Sequence, residues 1–293
     1  MRYKNKINSM SEQIPSYYTI QVNGQLMDLS VPKIMGILNV TPDSFYAGSR
    51  KNDEQEIAGR VRQIINEGGD IIDIGAYSTR PGAAFVSQEE EMSRLRKGLA
   101  ILRKEAPDAI VSVDTFRADV AAMCVEEYGV GLINDIAAGE MDERMFETII
   151  RLNVPYIMMH MKGTPQNMQK APQYDDLRKE IILYFAKKIE ALASQGVKDI
   201  IVDPGFGFGK TLAHNYELLK HLEDFKMLDR PVLVGVSRKS MIYKLLDSTP
   251  DDALNGTTVI NTIALTKDAQ ILRVHDVKAC AEAVRIFNMM NEQ

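Results

Sequence analysis

The sequence feature that most constrains the fold of this chain is a series of short, β-branched apolar runs, each flanked by turn residues. Runs of this length and composition predict strands. Because they are apolar almost throughout, they are typical of strands buried on both faces of a parallel sheet. The predicted strands are Ile34–Leu38, Ile71–Ile74, Ile110–Val113, Leu132–Asn134, Tyr156–Met159, Ile200–Val202, Val232–Gly235 and Ile271–Val274.

Helical patterns fill most of the intervals between these strands. The segment Ser87-Gln88-Glu89-Glu90 predicts a capping box that opens one helix. Two others are predicted from apolar stripes at helical spacing, which are Ile57, Val61, Ile64 and Ile65, and Leu177, Ile181, Phe185, Ile189 and Leu192. Eight strand-then-helix units in about 260 residues indicate an α/β fold, a closed (β/α)8 TIM barrel rather than a doubly wound sheet.

The chain shows no boundary between two large domains. Its 293 residues are enough for one sizeable core, and no stretch rich in Pro, Gly or Ser divides them. We therefore expect residues 31–293 to form one barrel domain that carries the functional site. Residues 1–30 are expected to be an N-terminal extension, forming a hairpin that covers the barrel bottom.

Composition excludes several classes of function. Lys and Arg total 35 against 40 Asp and Glu, and the formal net charge of −5 makes nucleic acids and anionic membranes poor candidate partners. The N-terminal residues lack the apolar run of a signal peptide, and no stretch approaches the ~18 consecutive apolar residues of a membrane helix. We therefore expect a cytoplasmic protein. With only two cysteines, neither a disulfide scaffold nor a Cys-based zinc site is expected.

Polar or ionisable residues stand at the C-terminal end of every predicted strand. In (β/α)8 barrels the functional site lies at this rim. One such residue is as easily explained by a helix N-cap or a surface charge, but eight strand ends that converge on one rim predict a site. In strand order they are Asn39, Thr79-Arg80, Asp114, Asn134-Asp135, His160, Asp203, Ser237-Arg238-Lys239, and Arg273 with His275.

The glycine-rich segment Asp203–Thr211 does not match a nucleotide-binding loop. Pro204 occupies the position of the first P-loop glycine, and Lys210 the position of the last glycine in a dinucleotide-binding motif. What remains is either an ordinary βα loop or a loop in which Phe206 or Phe208 stacks on an aromatic ligand. No pair of His, Cys or Glu residues has transition-metal spacing, whereas a hard cation such as Mg²⁺, held mainly by a ligand phosphate, stays open.

Eight ordered segments that contain these residues resemble the signatures of the dihydropteroate synthase family. They follow the family's order from about residue 31 to the C-terminus, which chance would not reproduce. The segments are Asn39–Phe45, Ser78–Ala83, Ser112–Thr115, Ile133–Asp135, His160–Pro165, Asp203–Lys210, Ser237–Ser240 and Arg273–Val277. Two flanking positions depart from the family: Tyr46-Ala47 replaces a small residue and an acid, and Ala76-Tyr77 replaces the common Gly-Glu.

The resemblance implies a reaction, a cofactor and an assembly. The family joins 7,8-dihydropterin-6-ylmethyl diphosphate to p-aminobenzoate, releasing diphosphate and 7,8-dihydropteroate in folate biosynthesis, and is a target of sulfonamides. A pterin-binding TIM barrel, a requirement for Mg²⁺ and a homodimer are implied with it. Both substrates are small molecules, so neither nucleic acid nor a membrane is an expected partner.

The resemblance also implies roles for individual residues of the segments. Catalytic roles fall to Asp43, Arg80, Asp114 and Lys239. The pterin and its diphosphate are implied to bind Asn39, Thr79, Asp114, Asn134, Asp203, Lys239, Arg273 and His275, with Asn39 also at the metal. The p-aminobenzoate pocket is implied to comprise Thr79, Arg80, Pro81, Phe208, Lys239 and Ser240.

The chemistry of the substrates agrees with these roles. A pterin presents an amino group and a ring N–H as donors, and Asp114, Asn134 and Asp203 offer acceptors. Arg273 can stack on the ring or, with His275 and Asn39, reach the diphosphate, whereas an ion pair with a rim acid such as Asp276 is the alternative. The departing diphosphate calls for electrostatic stabilisation, and we assign no general base because an aryl amine is already a nucleophile.

Two other functions stay open from sequence. A pterin-dependent methyltransferase shares the barrel and the acidic pterin pocket, but its methyl donor has no diphosphate for Arg80, Arg273 and His275 to bind. A non-catalytic pterin-binding protein would be expected to lack the loop motifs Thr41–Phe45 or Thr79–Gly82, and both are intact.

Overall fold

The computed structural model describes residues 18–40, 50–77, 85–164, 168 and 172–291. Strands β3–β10 match the eight predicted ones to within one residue at either end. The strands in the described ranges are β1 (Thr19–Val22), β2 (Gln25–Asp28), β3 (Lys33–Asn39), β4 (Ile71–Gly75), β5 (Ile110–Asp114), β6 (Leu132–Asp135), β7 (Tyr156–Met159), β8 (Ile200–Asp203), β9 (Leu233–Val234) and β10 (Ile271–Val274).

Strands β3–β10 form a parallel barrel. Their hydrogen-bonded order is β8-β7-β6-β5-β4-β3-β10-β9. A parallel bridge between Val202 of β8 and Val232, directly before β9, joins the two ends of that order. The predicted α/β barrel is confirmed. Its register aligns four neighbouring positions at one level of the C-terminal rim, namely Asn39, Gly75, Asp114 and Asn134.

Helices cover the outside of the barrel. The stripe predicted for α5 is buried throughout, whereas Ile65 of α1 is 42% exposed and lies outside the buried face. At α2 the Ser87 hydroxyl accepts a hydrogen bond from the Glu90 N–H at 3.2 Å, as predicted for its N-cap. In the described ranges the helices are α1 (Arg50–Asn66), α2 (Gln88–Glu105), α3 (Ala118–Tyr128), α4 (Met145–Leu152), α5 (Leu177–Ala193), α6 (Leu212–Lys220), a 3-10 helix (Leu222–Leu228), α7 (Ser240–Tyr243), α8 (Leu254–Thr266) and α9 (Val277–Asn291).

The lower layer of the barrel interior is apolar and is covered by a hairpin. Side chains alternate along a strand, so positions two apart face the same way. Strands β1 and β2 pair antiparallel, and their apolar side chains pack against the first inward positions of the barrel strands. The expected hairpin therefore lies at the bottom of the barrel. The residues of this cluster include Ile20, Val22, Met27 and Leu29 of the hairpin and Met35, Ile71, Leu132, Ile157, Ile201, Leu233 and Ile271 of the barrel.

The upper layer of the interior is polar. It begins two residues further along five of the same strands, β4, β5, β6, β8 and β10, where the inward positions carry acids, a hydroxyl, an amide and a cation, whereas β3 and β7 keep Ile37 and Met159 there. Its buried or half-buried members are Asp73, Ser112, Asn134, Asp203 and Arg273. The change from apolar to polar along single strands places the candidate site inside the C-terminal mouth, at the end that the hairpin leaves open.

Candidate active site

Arg273 lies at the centre of the polar layer, between two carboxylates. Its Nε donates to Asp73 at 2.6 Å and a terminal guanidinium nitrogen donates to Asp114 at 2.7 Å. The arginine stands on β10 and its partners on β4 and β5, so the two ion pairs cross the interior of the barrel. Charge-assisted bonds of this length fix the guanidinium plane.

Asp73 is a site residue that the sequence analysis missed. Its carboxylate accepts hydrogen bonds from the Ser112 hydroxyl at 2.6 Å and from the Asn134 amide at 3.1 Å, besides the arginine. It stands inside an apolar run rather than at its end, and the run itself predicts only a strand. A fully buried acid in such a run needs partners, and that was the available signal.

The carboxyl groups of Asp114 and Asp203 lie inside the barrel, where burial disfavours their ionised forms. Burial raises the pKa of Asp114 to about 7, and the neighbouring carboxylate of Asp73 adds to that effect while Arg273 opposes it. Burial also raises the pKa of Asp203, opposed by Lys239. Both groups keep acceptor oxygens inside the mouth of the barrel, where a ligand with N–H donors can use them.

Lys239 connects the loop after β9 with the loop after β8. Its ammonium donates to the carbonyl of Phe206 at 2.6 Å and lies 4.7 Å from the centre of the Phe208 ring. Burial lowers its pKa to about 8, opposed by Asp203. Phe206 is fully buried in the core beneath the helices, whereas Phe208 is half-buried beside the mouth. Of the two phenylalanines, Phe208 is therefore the one that a ligand can reach.

Asn39 and His275 lie beside a cavity of about 340 Å³ that Arg60 also lines. Arg60 donates to the backbone carbonyl of His275 at 2.5 Å and to that of Ile37 at 3.2 Å, which ties the ends of β10 and β3 together. The His275 ring is positioned by Ser237, whose hydroxyl lies 3.0 Å from Nδ1. Arg60 was not predicted because it lies on α1 rather than at a strand end.

Two polar residues at the predicted strand ends face away from the site. His160 is buried among α5 aromatic rings, with Tyr184 edge-on at 4.9 Å, and burial lowers its pKa to about 2. Asp135 accepts a hydrogen bond from Tyr156 at 2.6 Å outside the barrel. The expectation that polar groups from all eight strand ends converge is therefore wrong for these two, because each occupies an outward rather than an inward position.

The alternative considered for Arg273, an ion pair with a rim acid, is confirmed, but the partner named for it is wrong: Arg273 pairs with Asp73 and with Asp114 at the rim, and not with Asp276. Asp276 forms hydrogen bonds with Arg238 at 2.8 and 2.9 Å. Arg238 is thereby directed away from the mouth, towards the carbonyls of Pro250 and Asp251, while Lys239 lies beside Phe208 and is followed by Ser240, the first residue of α7. The predicted residues Asp43, Thr79, Arg80 and Pro81 lie outside the described residues.

The side chains at the mouth of the barrel offer few ligands for a magnesium ion. Within residues 18–40, 50–77, 85–164, 168 and 172–291, no three His, Cys, Asp or Glu side chains form a group that could hold a metal. Asn39 is exposed at the rim, so its amide oxygen can serve as one hard ligand. This fits a cation that takes most of its ligands from a phosphate rather than from the protein. In the same part of the chain, no helix is long and apolar enough to span a membrane.

Comparisons with known proteins identify the family of this chain. The sequence model of the pterin binding enzyme family matches residues 35–275. Dihydropteroate synthase of Escherichia coli K12 is 42% identical over 265 residues, which cover 90% of this chain and 93% of the relative.

Two solved structures share the fold. Dihydropteroate synthase of Yersinia pestis, in complex with a sulfonamide drug, has a TM-score of 0.87 at 41% identity, covering 94% of this chain and 100% of that one. The Xanthomonas albilineans enzyme with 4-aminobenzoic acid has a TM-score of 0.86 at 34% identity, covering 94% and 99%. By sequence and by fold, this chain belongs to the dihydropteroate synthase family of pterin-binding enzymes.

Proposed function

We propose that this chain condenses 7,8-dihydropterin-6-ylmethyl diphosphate with p-aminobenzoate to give 7,8-dihydropteroate and diphosphate. The observation that carries the proposal is the polar layer, in which buried acceptors on four strands surround one arginine inside the barrel mouth. Acceptors of this kind match the donors of a pterin, and the same barrel is found in the synthases named above.

The pterin is recognised by its pattern of donors. We assign its amino group and ring N–H to Asp203, Asn134 and Asp114, and its carbonyl to the Lys239 ammonium. Arg273, fixed by its two carboxylates, provides a rigid flat cation against the face of the ring. A buried acceptor that loses its partner costs about 1–3 kcal/mol, so the site selects ligands that pair every acceptor.

The diphosphate is assigned to the end of the mouth that Asn39, His275 and Arg60 line. An imidazole, an amide and a guanidinium offer donors to an anion there, and the exposed Glu56 carboxylate, which lines the same cavity, opposes them. Asn39 would hold Mg²⁺ there together with oxygens of the diphosphate. When bound, the metal offsets negative charge on the leaving group.

The p-aminobenzoate is assigned to the side of the mouth that Phe208, Lys239 and Ser240 line. Phe208 presents an aromatic face and Lys239 a cation for the carboxylate. Thr79, Arg80 and Pro81 in this pocket, and Asp43 at the catalytic centre, remain proposals from the family resemblance.

The reaction is a substitution at the methylene carbon of the pterin. Its bond to the diphosphate oxygen breaks with the electron pair going to diphosphate, and the amine nitrogen of p-aminobenzoate then bonds to the carbon and loses a proton. In this dissociative route a transient pterin-methyl cation forms beside Asp114, whose carboxylate stabilises it. The chain needs no general base, and the nitrogen's proton passes to solvent.

The test is release of diphosphate by the purified chain. We expect release that requires pterin diphosphate, p-aminobenzoate and Mg²⁺ together, with one dihydropteroate formed for each diphosphate. A matched reaction without p-aminobenzoate controls for simple hydrolysis. Release that does not depend on p-aminobenzoate, or methyl transfer from a methylated pterin, would contradict the proposal.

We further propose a homodimer, with the cytoplasm as its compartment. Helices α8 and α9 pack together and present exposed apolar side chains, which a second copy can cover. Light scattering during gel filtration should give twice the chain mass, and Ile263→Glu should shift the protein towards monomer. The exposed side chains are Leu254, Val259 and Ile263 on α8 and Ile286, Met289 and Met290 on α9.

A further inference from the structure

Lys210 is a buried cation that the reaction described above does not use. It ends the glycine-rich segment after β8 and is only 4% exposed. Its ammonium lies 2.9 Å from the carbonyl of Gly205, 3.0 Å from that of Phe208, 3.2 Å from that of His160 and 3.0 Å from Nδ1 of the His160 ring. All four acceptors are uncharged, so the bonds do not form an ion pair.

These acceptors belong to two different loops. Gly205 and Phe208 lie in the turn after β8, and His160 directly follows β7. The turns touch backbone to backbone: a Cβ on Gly205 would lie 2.0 Å from the His160 carbonyl oxygen, and one on Gly209 would lie 2.5 Å from that of Lys162. The ammonium therefore joins two loops whose carbonyl groups converge on one buried point.

Removing the ammonium would take this donor away from the carbonyl groups of Phe208 and His160, whereas that of Gly205 would keep a hydrogen bond from the Phe208 N–H at 3.1 Å. Buried backbone acceptors are almost always paired, and an unpaired one opposes the conformation that buries it. Burial lowers the pKa of Lys210 to about 7, opposed by Asp203 and reinforced by Lys239. A lysine buried at that cost, on loop carbonyls rather than on a carboxylate, indicates a role in holding the loop.

Two lysines hold carbonyl groups of the turn from Gly205 to Gly209, and the Asn215 side chain accepts a hydrogen bond from its Gly207 N–H at 2.7 Å. Lys239 binds the carbonyl of Phe206, and Lys210 binds the carbonyls of Gly205 and Phe208. The conformation between them directs the Phe206 ring into the core and leaves the Phe208 ring beside Lys239. The placement of Phe208 thus depends on both anchors.

We propose that Lys210 is a positioning residue for the second substrate: by joining the turn at Gly205–Gly209 to the end of β7, it holds Phe208 where p-aminobenzoate binds. The proposal rests on the function proposed above, because it assigns that substrate to Phe208. Lys210 touches neither substrate. Asp203 accepts a hydrogen bond from the Gly205 N–H at 2.7 Å but stands on β8 itself, where the sheet holds it, so we expect pterin binding to depend less on this anchor.

The test compares Lys210→Met with Lys188→Met. Lys188 is also largely buried and donates to a rim-loop carbonyl, that of Ala138 at 2.9 Å, but on the loop after β6. For Lys210→Met we expect the KM for p-aminobenzoate to rise about tenfold, with the Kd for pterin changed less than about threefold. Lys188→Met should move neither quantity. Equal effects of the two variants would overturn the proposal.

A double-mutant cycle distinguishes positioning from general loosening. If Lys210 acts through Phe208, Lys210→Met combined with Phe208→Ala should bind p-aminobenzoate no more weakly than Phe208→Ala alone. Multiplied losses would overturn the proposal. Should Lys210→Met fail to fold, Lys210→Gln, which keeps two donors, should give a smaller rise in KM, and an unchanged KM would count against the proposal.

Hydrogen exchange keeps this proposal separate from the function itself. Amides of Gly205–Gly209 should exchange faster in Lys210→Met than in the parent chain or in Lys188→Met, whether or not the enzyme is active. Unchanged protection would overturn the anchoring role. A parent chain that releases no diphosphate would instead contradict the proposed reaction.

Discussion

The lower and upper layers of the barrel interior differ in chemistry although they stand on the same strands. On β8 the inward side chain of Ile201 packs in the apolar cluster that the hairpin covers, and two residues later Asp203 stands in the polar layer. On β10, Ile271 and Arg273 show the same change. Two residues along a single strand therefore separate the apolar lower layer from the charged upper layer.

The lower layer stabilises the fold, whereas the upper layer serves a ligand. Burial of each aliphatic side chain in the lower layer contributes about 1.5–3 kcal/mol. In the upper layer burial works against ionisation, since it raises the pKa of Asp114 and of Asp203 and lowers that of Lys239. Groups held in that way are typical of functional sites, because packing alone does not require them.

The largest effect is expected when the central cation of the upper layer is removed. Arg273→Met leaves two carboxylates, Asp73 and Asp114, without their charged partner inside the barrel, and should lower the free energy of unfolding by about 3–5 kcal/mol. Urea unfolding measures it. The matched control is Arg144→Met, an exposed arginine that also pairs with two acids and should cost at most about 1 kcal/mol. Equal losses would show that the polar layer is not internally coupled.

The next largest effect belongs to the lower layer. Ile20→Ala in the hairpin should cost about 2–4 kcal/mol of unfolding free energy, because it leaves a cavity against the barrel bottom, while kcat stays unchanged. Leu26→Ala is the control in the same hairpin, since Leu26 is 76% exposed and should cost less than about 0.5 kcal/mol. A loss of substrate affinity in Ile20→Ala would contradict the separation of the two layers.

The smallest effect concerns pH. The protonated carboxyl of Asp114 cannot accept from a pterin N–H, so pterin affinity should rise as pH increases through about 7. Asp114→Asn should flatten that dependence. The stability of the fold should depend on pH in the opposite direction. Because the pKa of Asp114 is higher in the folded than in the unfolded chain, its protonation stabilises the fold below the unfolded-state pKa. That contribution is lost as pH rises through about 7. Pterin titrations from about pH 5.5 to about pH 8 bracket that pKa and measure the dependence. A constant Kd over this interval would contradict the role of Asp114.

The strands could be predicted because each is apolar on both faces and bounded by turn residues. Ile110–Asp114 and Tyr156–Met159 stand close to where the pattern predicted them. The hairpin position was also within reach of sequence, since the barrel bottom needs a cover. Ile65 was assigned to the wrong face because a helical stripe is wider than the contact it makes with the barrel.

The candidate site was harder to predict than the strands. Asp203 and Arg273 were identified because they stand at strand ends in motifs that resemble the family. Asp73 was missed because a continuous apolar run does not show which of its side chains face the barrel interior. His160 was placed wrongly at the site for the same reason. The four contacts of Lys210 join segments distant in sequence, so no local pattern reveals them.

Strand β8 carries packing and recognition on successive inward positions, Ile201 and Asp203, so substitutions at these two positions separate the two roles. Asp203→Asn should weaken pterin binding by about 2–3 kcal/mol, because a donor then faces a donor. Ile201→Ala should lose about 2–4 kcal/mol of unfolding free energy and keep its pterin affinity. Calorimetry of pterin binding and urea unfolding, run on both variants, measure this. If Asp203→Asn binds pterin as tightly as the parent chain, the polar layer is not the pterin site and the account is contradicted.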